Sequence, residues 1–176
     1  MGFARPVCLM GFMGAGKSRW GKQLASKLNV SFVDLDRAVE TKAGMSVTEI
    51  FNNLGEAVFR QIETDCLCNV LAQRDVVVSL GGGTPRREEN AALLKEKAIT
   101  IYLKSNAGML HSRLKNNYKQ RPLLADKQPH DLLPFIKKLL TQREPFYNQA
   151  DVIVPVQGLT IEKLTEALTG FTTTKL

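Results

Sequence analysis

No apolar run in this sequence approaches the ~20 residues a membrane-spanning helix needs, and the chain reads as a soluble protein. Cysteine is scarce: Cys8, Cys66 and Cys68 cannot all pair, and Cys66-x-Cys68 lacks the spacing of a zinc site, so reduced structural thiols are expected. Only two histidines occur, His111 and His130, isolated in polar stretches, and neither is assigned a metal or a catalytic role. A secretory signal is not expected either. The apolar start is followed at once by Lys17, Arg19 and Lys22 with no small-residue cleavage site, and the Met-Gly opening has Pro6 where myristoylation wants Ser or Thr. A cytoplasmic protein is expected. Repeats, low-complexity tracts and linker-like breaks are all absent, so residues 1–176 read as one domain.

The net charge of +7 arises without any basic run of five or more and without interleaved aromatic residues. That argues against nucleic acid and against a membrane surface, and for anionic small molecules. Composition is ordinary for a globular chain, at 44% hydrophobic and 23% charged.

Five short apolar runs rich in Val and Ile predict strands at 6–10, 31–36, 75–80, 98–103 and 151–156. Amphipathic stretches predict helices at 17–28, at 46–73 in two pieces broken near Gly55, at 88–96, 106–117 and 131–148, and from about 160. Continuously apolar strands alternating with helices imply an α/β fold, with a parallel sheet buried between two helical layers. The irregular stretch at 118–130, "YKQRPLLADKQPH", reads as a lid or as a plain exposed loop.

The octet "GFMGAGKS", Gly11 to Ser18, matches G-x-x-x-x-G-K-[ST] between a predicted strand and a predicted helix. Gly14, Ala15 and Gly16 would turn backbone N–H groups onto phosphates at a helix N-terminus. Lys17 would reach the β- and γ-phosphates and Ser18 would ligate Mg²⁺. Asp34-Leu35-Asp36 ends the second strand, where an extended backbone points both carboxylates into the crevice beyond the strand ends; a solvated turn is the alternative. The third strand carries Ser79 where many phosphate-loop enzymes have a metal-side aspartate, which leaves Asp34 as the nearest carboxylate for the metal. Gly81, Gly82 and Gly83 would let a ligand lie against the backbone, or serve as a flexible turn. Arg60 and Glu63 share a helix face at i, i+3, either as a receiver for a substrate carboxylate or as a surface pair, and the same choice holds for Arg143. Arg121 could fold over the γ-phosphate.

In order along the chain, "GFMGAGKS", "DLD", "FRQIE", "GGG", "RPLL" and "REPFY" resemble the shikimate kinase family over nearly the whole length. The resemblance implies a three-layer αβα P-loop kinase with a five-stranded parallel sheet and a mobile lid, moving a phosphoryl group from MgATP to the 3-hydroxyl of shikimate. It implies that Asp36 holds shikimate hydroxyls and acts as, or near, the base. Arg60 and Arg143 would clamp the carboxylate, with backbone at Gly82 and Gly83 and a helical region at about 37–63 completing the pocket. Asp34 would meet Mg²⁺ through water, Lys17 and Arg121 would stabilise the transferring group, and Arg113 would stack on adenine. Three departures from the family pattern stand out: the spacing from Arg113 to "RPLL" is one residue longer, Leu80 stands where Thr or Ala is common, and Thr84-Pro85 follows the triplet where small aliphatic residues are common. Lys17 and Arg121 are expected to keep Asp36 ionised. The alternatives are a gluconate- or nucleotide-type kinase, or a nucleotide-binding regulator without turnover. A monomer is expected.

Overall fold

The computed structural model describes residues 4–174. Five parallel strands are ordered β2-β3-β1-β4-β5, namely β1 (Val7–Met10), β2 (Ser31–Asp34), β3 (Val76–Ser79), β4 (Ile99–Lys104) and β5 (Val152–Pro155). Every strand lies within two residues of its expected limits. Eight helices pack around the sheet: α1 (Lys17–Leu28), α2 (Leu35–Ala43), α3 (Val47–Asn53), α4 (Gly55–Leu71), α5 (Glu88–Lys97), α6 (Ala107–Leu114), α7 (Leu132–Tyr147) and α8 (Ile161–Thr174). Among the described residues no helix is long and apolar enough to cross a membrane.

The three inner strands are buried on both faces, as their apolar runs predict. The edge strands β2 and β5 are partly exposed, because each pairs on one side only. Helix α1 buries Gly21, Leu24, Ala25 and Leu28, an i, i+3, i+4, i+7 stripe. Each fully buried leucine there stabilises the fold by roughly 1.5–3 kcal/mol. Helix α3 opens on a reciprocal capping box between Ser46 and Glu49, and Gly55 adopts a left-handed φ of 84° that separates α3 from α4.

One expectation fails at the end of β2. The strand stops at Asp34, and Leu35 begins α2, so Asp34-Leu35-Asp36 is not an extended pair. Asp34 is instead the N-cap of α2, its carboxylate accepting the Arg37 amide, and Asp36 lies in the first helical turn. A short polar side chain before a helix-forming stretch caps it more readily than it prolongs a strand. Both carboxylates still face the crevice, because the helix begins there.

The outer strand β5 is anchored at its entry by a reciprocal contact. Asp151 Oδ2 accepts both the amide and the hydroxyl of buried Thr100, and the Asp151 amide donates to the same hydroxyl, each at 2.9 Å. Asp151→Ala should lower stability by about 1–3 kcal/mol, read as a lower urea midpoint with an unchanged m value, and Asp151→Asn, which keeps an acceptor, should lower it less.

Candidate functional site

The C-terminal ends of β1, β2 and β3 lie side by side, which brings the phosphate loop, Asp34 and the glycine triplet to one crevice. Between β1 and α1, Gly14 and Gly16 take left-handed φ values of 82° and 93°, which turn successive amides inward ahead of the helix N-terminus. The Lys17 ammonium lies within the loop and donates to the carbonyls of Gly11 (2.9 Å) and Phe12 (3.2 Å). Burial lowers its pKa to about 8, against the pull of Asp36, which holds the proton on. Arg113 reaches the same loop from α6, donating to Gly14 O at 3.0 Å and Ala15 O at 3.3 Å.

Ser18 Oγ donates to Asp34 Oδ2 at 2.5 Å and lies 3.3 Å from Ser79 Oγ. These hard oxygen donors suit Mg²⁺, which takes few protein ligands and completes its octahedron with water and phosphate. Among the described residues no group of three or more His, Cys, Asp or Glu could hold a metal without the nucleotide.

A cavity of about 110 Å³ opens beside the loop, with Asp36, Arg60, Glu63, Arg143 and the triplet Gly81–Gly83 on its walls. Helix α4 holds Arg60 in place: Nη1 donates to buried Glu63 at 2.9 Å, while Nε and Nη2 donate to the exposed Glu56. The Arg60–Glu63 pair is therefore partly internal rather than a surface pair. One N–H on each of Nη1 and Nη2 remains, and these form a fork against Gly83, where an added Cβ would lie 3.0 Å from both nitrogens.

Arg143, on α7, is 2% exposed, and its Nε and Nη1 have no hydrogen-bond partner. Its guanidinium lies 5.6 Å from the centre of the Phe12 ring, and Nη1 would be 3.0 Å from a Cβ at Gly82. Burial pulls its pKa down, while neighbouring Tyr147 pushes back. Tyr147 in turn donates to Gly82 O at 2.6 Å and stacks obliquely on Tyr102. Glycine at the triplet thus leaves room for two guanidinium groups, which supports close approach over mere flexibility.

Asp36 Oδ1 would lie 3.0 Å from a Cβ at Gly81. Its pKa is raised rather than held low: burial outweighs the Lys17 charge, with Asp34 and Glu63 adding to the rise and Arg121 opposing it. The expected pull of Lys17 and Arg121 toward the ionised form is present, with burial acting against it. Arg121, Pro122 and Leu123 border the cavity from the 118–130 segment, whose Tyr118 and Leu124 side chains are buried. Of the residues read from the sequence, Asp36, Arg60, Gly82, Gly83, Arg121 and Arg143 line the cavity, while Lys17, Ser18, Asp34 and Arg113 make their contacts at the glycine-rich loop beside it. Sequence reasoning missed the cavity wall made by Phe51 and Phe59, whose rings lie 4.7 Å apart, and the roles of Thr84 and Tyr147. The visible signals were adjacency to the triplet for Thr84 and the i+4 spacing from Arg143 for Tyr147.

Comparison with known proteins agrees with this geometry. The family model described as shikimate kinase matches residues 13–171. A shikimate kinase from Azobacteroides pseudotrichonymphae is 39% identical over 93% of this chain and 97% of its own. A crystal structure of shikimate kinase from Bacteroides thetaiotaomicron superposes with a TM-score of 0.86 at 36% identity, covering 94% of this chain and 98% of that one. Shikimate kinase from Acinetobacter baumannii, solved in complex with shikimate, gives a TM-score of 0.84 at 30% identity, covering 94% and 93%. A gluconokinase from Sinorhizobium meliloti, at 20% identity and a TM-score of 0.57, shares the fold alone. With the family model spanning most of its length and the P-loop, glycine triplet and two arginines meeting in one crevice, this chain belongs to the shikimate kinase family.

Proposed function

We propose that this protein transfers the γ-phosphoryl group of ATP to the 3-hydroxyl of shikimate, forming shikimate 3-phosphate and ADP, a step toward chorismate and the aromatic amino acids. The observation that carries the reading is the pair of arginines. Arg60 keeps a free fork and Arg143 is buried without a carboxylate partner among the described residues; both lie against the glycine triplet, at Gly83 and Gly82, and line the same cavity as Asp36. A buried guanidinium with unmatched donors favours a ligand carboxylate strongly. Asp36 and the neighbouring Lys17 mark the reacting end.

The residues divide the work as follows. Amides of Gly14, Ala15, Gly16, Lys17 and Ser18 cradle the phosphates, and Arg113 takes one face of adenine. Bound with the nucleotide, Mg²⁺ neutralises charge on the phosphate oxygens; Ser18 would ligate it directly and Asp34 through water. Arg60 and Arg143 hold the shikimate carboxylate, with Gly82 and Gly83 as the floor. Asp36 orients the acceptor hydroxyl and takes its proton. Lys17 and Arg121 stabilise the charge spread over the transferring group. The segment at 118–130 serves as the lid, moving between the buried anchors Tyr118 and Leu124 to exclude water that would otherwise accept the phosphoryl group. One chain supplies every residue of both sites, which favours a monomer acting on cytoplasmic small molecules.

A coupled ADP-release assay with shikimate, quinate, gluconate and AMP should give turnover with shikimate; turnover with gluconate or AMP instead, or with none of the four, would overturn the reading. Asp36→Ala should lower kcat by roughly 10²–10⁴-fold while nucleotide affinity, measured by calorimetry, stays near normal. Arg143→Met should raise the shikimate KM and at the same time stabilise the ligand-free protein by about 1–2 kcal/mol, since it removes a buried charge with unmatched donors. A melting curve of each protein without ligand checks the second half of that expectation.

A further inference from the structure

Arg60 is held from two sides of unequal quality. Glu56 accepts from its Nε and Nη2, but the Glu56 side chain is 66% exposed, and such a pair is screened and loosely ordered. The inner hold is Glu63, 1% exposed, whose Oε2 accepts from Nη1. A carboxylate held through one oxygen still turns about its last torsion, a broad and soft rotation. The other oxygen of Glu63 is fixed by Thr84: its hydroxyl, fully buried, donates to Oε1 at 2.6 Å. Among the described residues this is the one hydrogen bond that Oε1 receives.

Thr84 begins a single 3₁₀ turn, Thr84–Arg86, directly after the triplet, and its amide donates to Gly81 O at 3.2 Å. The hydroxyl is therefore rigidly tied to the backbone that forms the floor of the cavity. Thr84 Oγ1 and Glu63 Oε1 would both lie 2.9 Å from a Cβ at Gly81. The chain of contacts runs from the glycine backbone through Thr84 and Glu63 to the Arg60 fork over Gly83.

We propose that Thr84 is a positioning residue for binding the acceptor carboxylate, setting the aim of Arg60 through Glu63; this rests on the shikimate reading above. Removing the hydroxyl leaves a buried carboxylate oxygen without a donor, and Glu63 turns to find one. Arg60 then loses its fixed inner partner, and its free fork no longer faces the triplet squarely. The carboxylate lies at the unreactive end of the substrate, where binding contributes equally to ground and transition states. The loss therefore appears in KM and not in kcat.

The test is steady-state kinetics of Thr84→Val, which keeps the shape and removes the hydroxyl, beside Thr84→Ser, which restores the donor. Thr84→Ala takes the place of Thr84→Val if that variant fails to fold. The shikimate KM should rise roughly tenfold in Thr84→Val with kcat within about twofold and the ATP KM unchanged, and Thr84→Ser should recover most of the loss. In an Arg60→Ala background the same change should add less than about twofold, because the two act along one chain of contacts. An unchanged shikimate KM, an equal loss for ATP, no rescue by serine, or full additivity with Arg60→Ala overturns the role of Thr84. Absence of shikimate-dependent ADP release in the unaltered protein instead overturns the reading on which it rests.

Discussion

Two guanidinium groups lie against a backbone that has no side chains, and the rest of the site is arranged around that constraint. Arg60 and Arg143 need space that any Cβ at Gly82 or Gly83 would take, since each such atom would come within 3.0 Å of a guanidinium nitrogen. Arg60 is neutralised by Glu63 and Glu56. Arg143 is not, and keeps two buried donors unmatched. Native proteins seldom leave buried donors this way, because each one costs about 1–3 kcal/mol. The fold bears that penalty where a ligand anion can relieve it, in the manner of other sites that trade stability for recognition.

Sheet topology brings the opposite chemistry within reach of these cations. Strand β1 lies between β3 and β4, so the loop that follows it opens beside the glycine triplet that follows β3. The next strand outward, β2, leads into Asp34 as the cap of α2 and Asp36 in its first turn. The glycine-rich loop, the two aspartates and the glycine triplet therefore all follow the ends of three adjacent parallel strands, while the two arginines come from α4 and α7. Lys17 and Asp36 are each buried enough that desolvation moves the proton affinity toward the neutral form. Their mutual attraction opposes this and does not cancel it.

Much of this was legible in the sequence where the requirement is local. The octet from Gly11 to Ser18 specifies its own backbone, because the left-handed φ values at Gly14 and Gly16 are ones that side chains disfavour. Strand limits and most helix limits followed from hydrophobic period, as did the break near Gly55, but α2 (Leu35–Ala43) is not among the helices so read, because its first residues read as the end of β2. The error at Asp34-Leu35-Asp36 has a physical cause: a strand ending and a helix beginning share the same short polar residues, and only the Arg37 amide on the Asp34 carboxylate distinguishes them.

What the sequence determined by itself is therefore the phosphate loop, the alternating α/β order and, through six motifs in order, the family. The tertiary structure alone decided which charges are paired. Arg60 and Arg143 read alike as arginines on helices, yet one has two carboxylate partners and the other has none among the described residues. The sign of the Asp36 shift and the contact from Thr84 to Glu63 belong to the same class. Pairing and desolvation depend on distances across the fold, and residues as far apart in the chain as Glu63 and Thr84 acquire them only when helix α4 packs over the turn after the glycines.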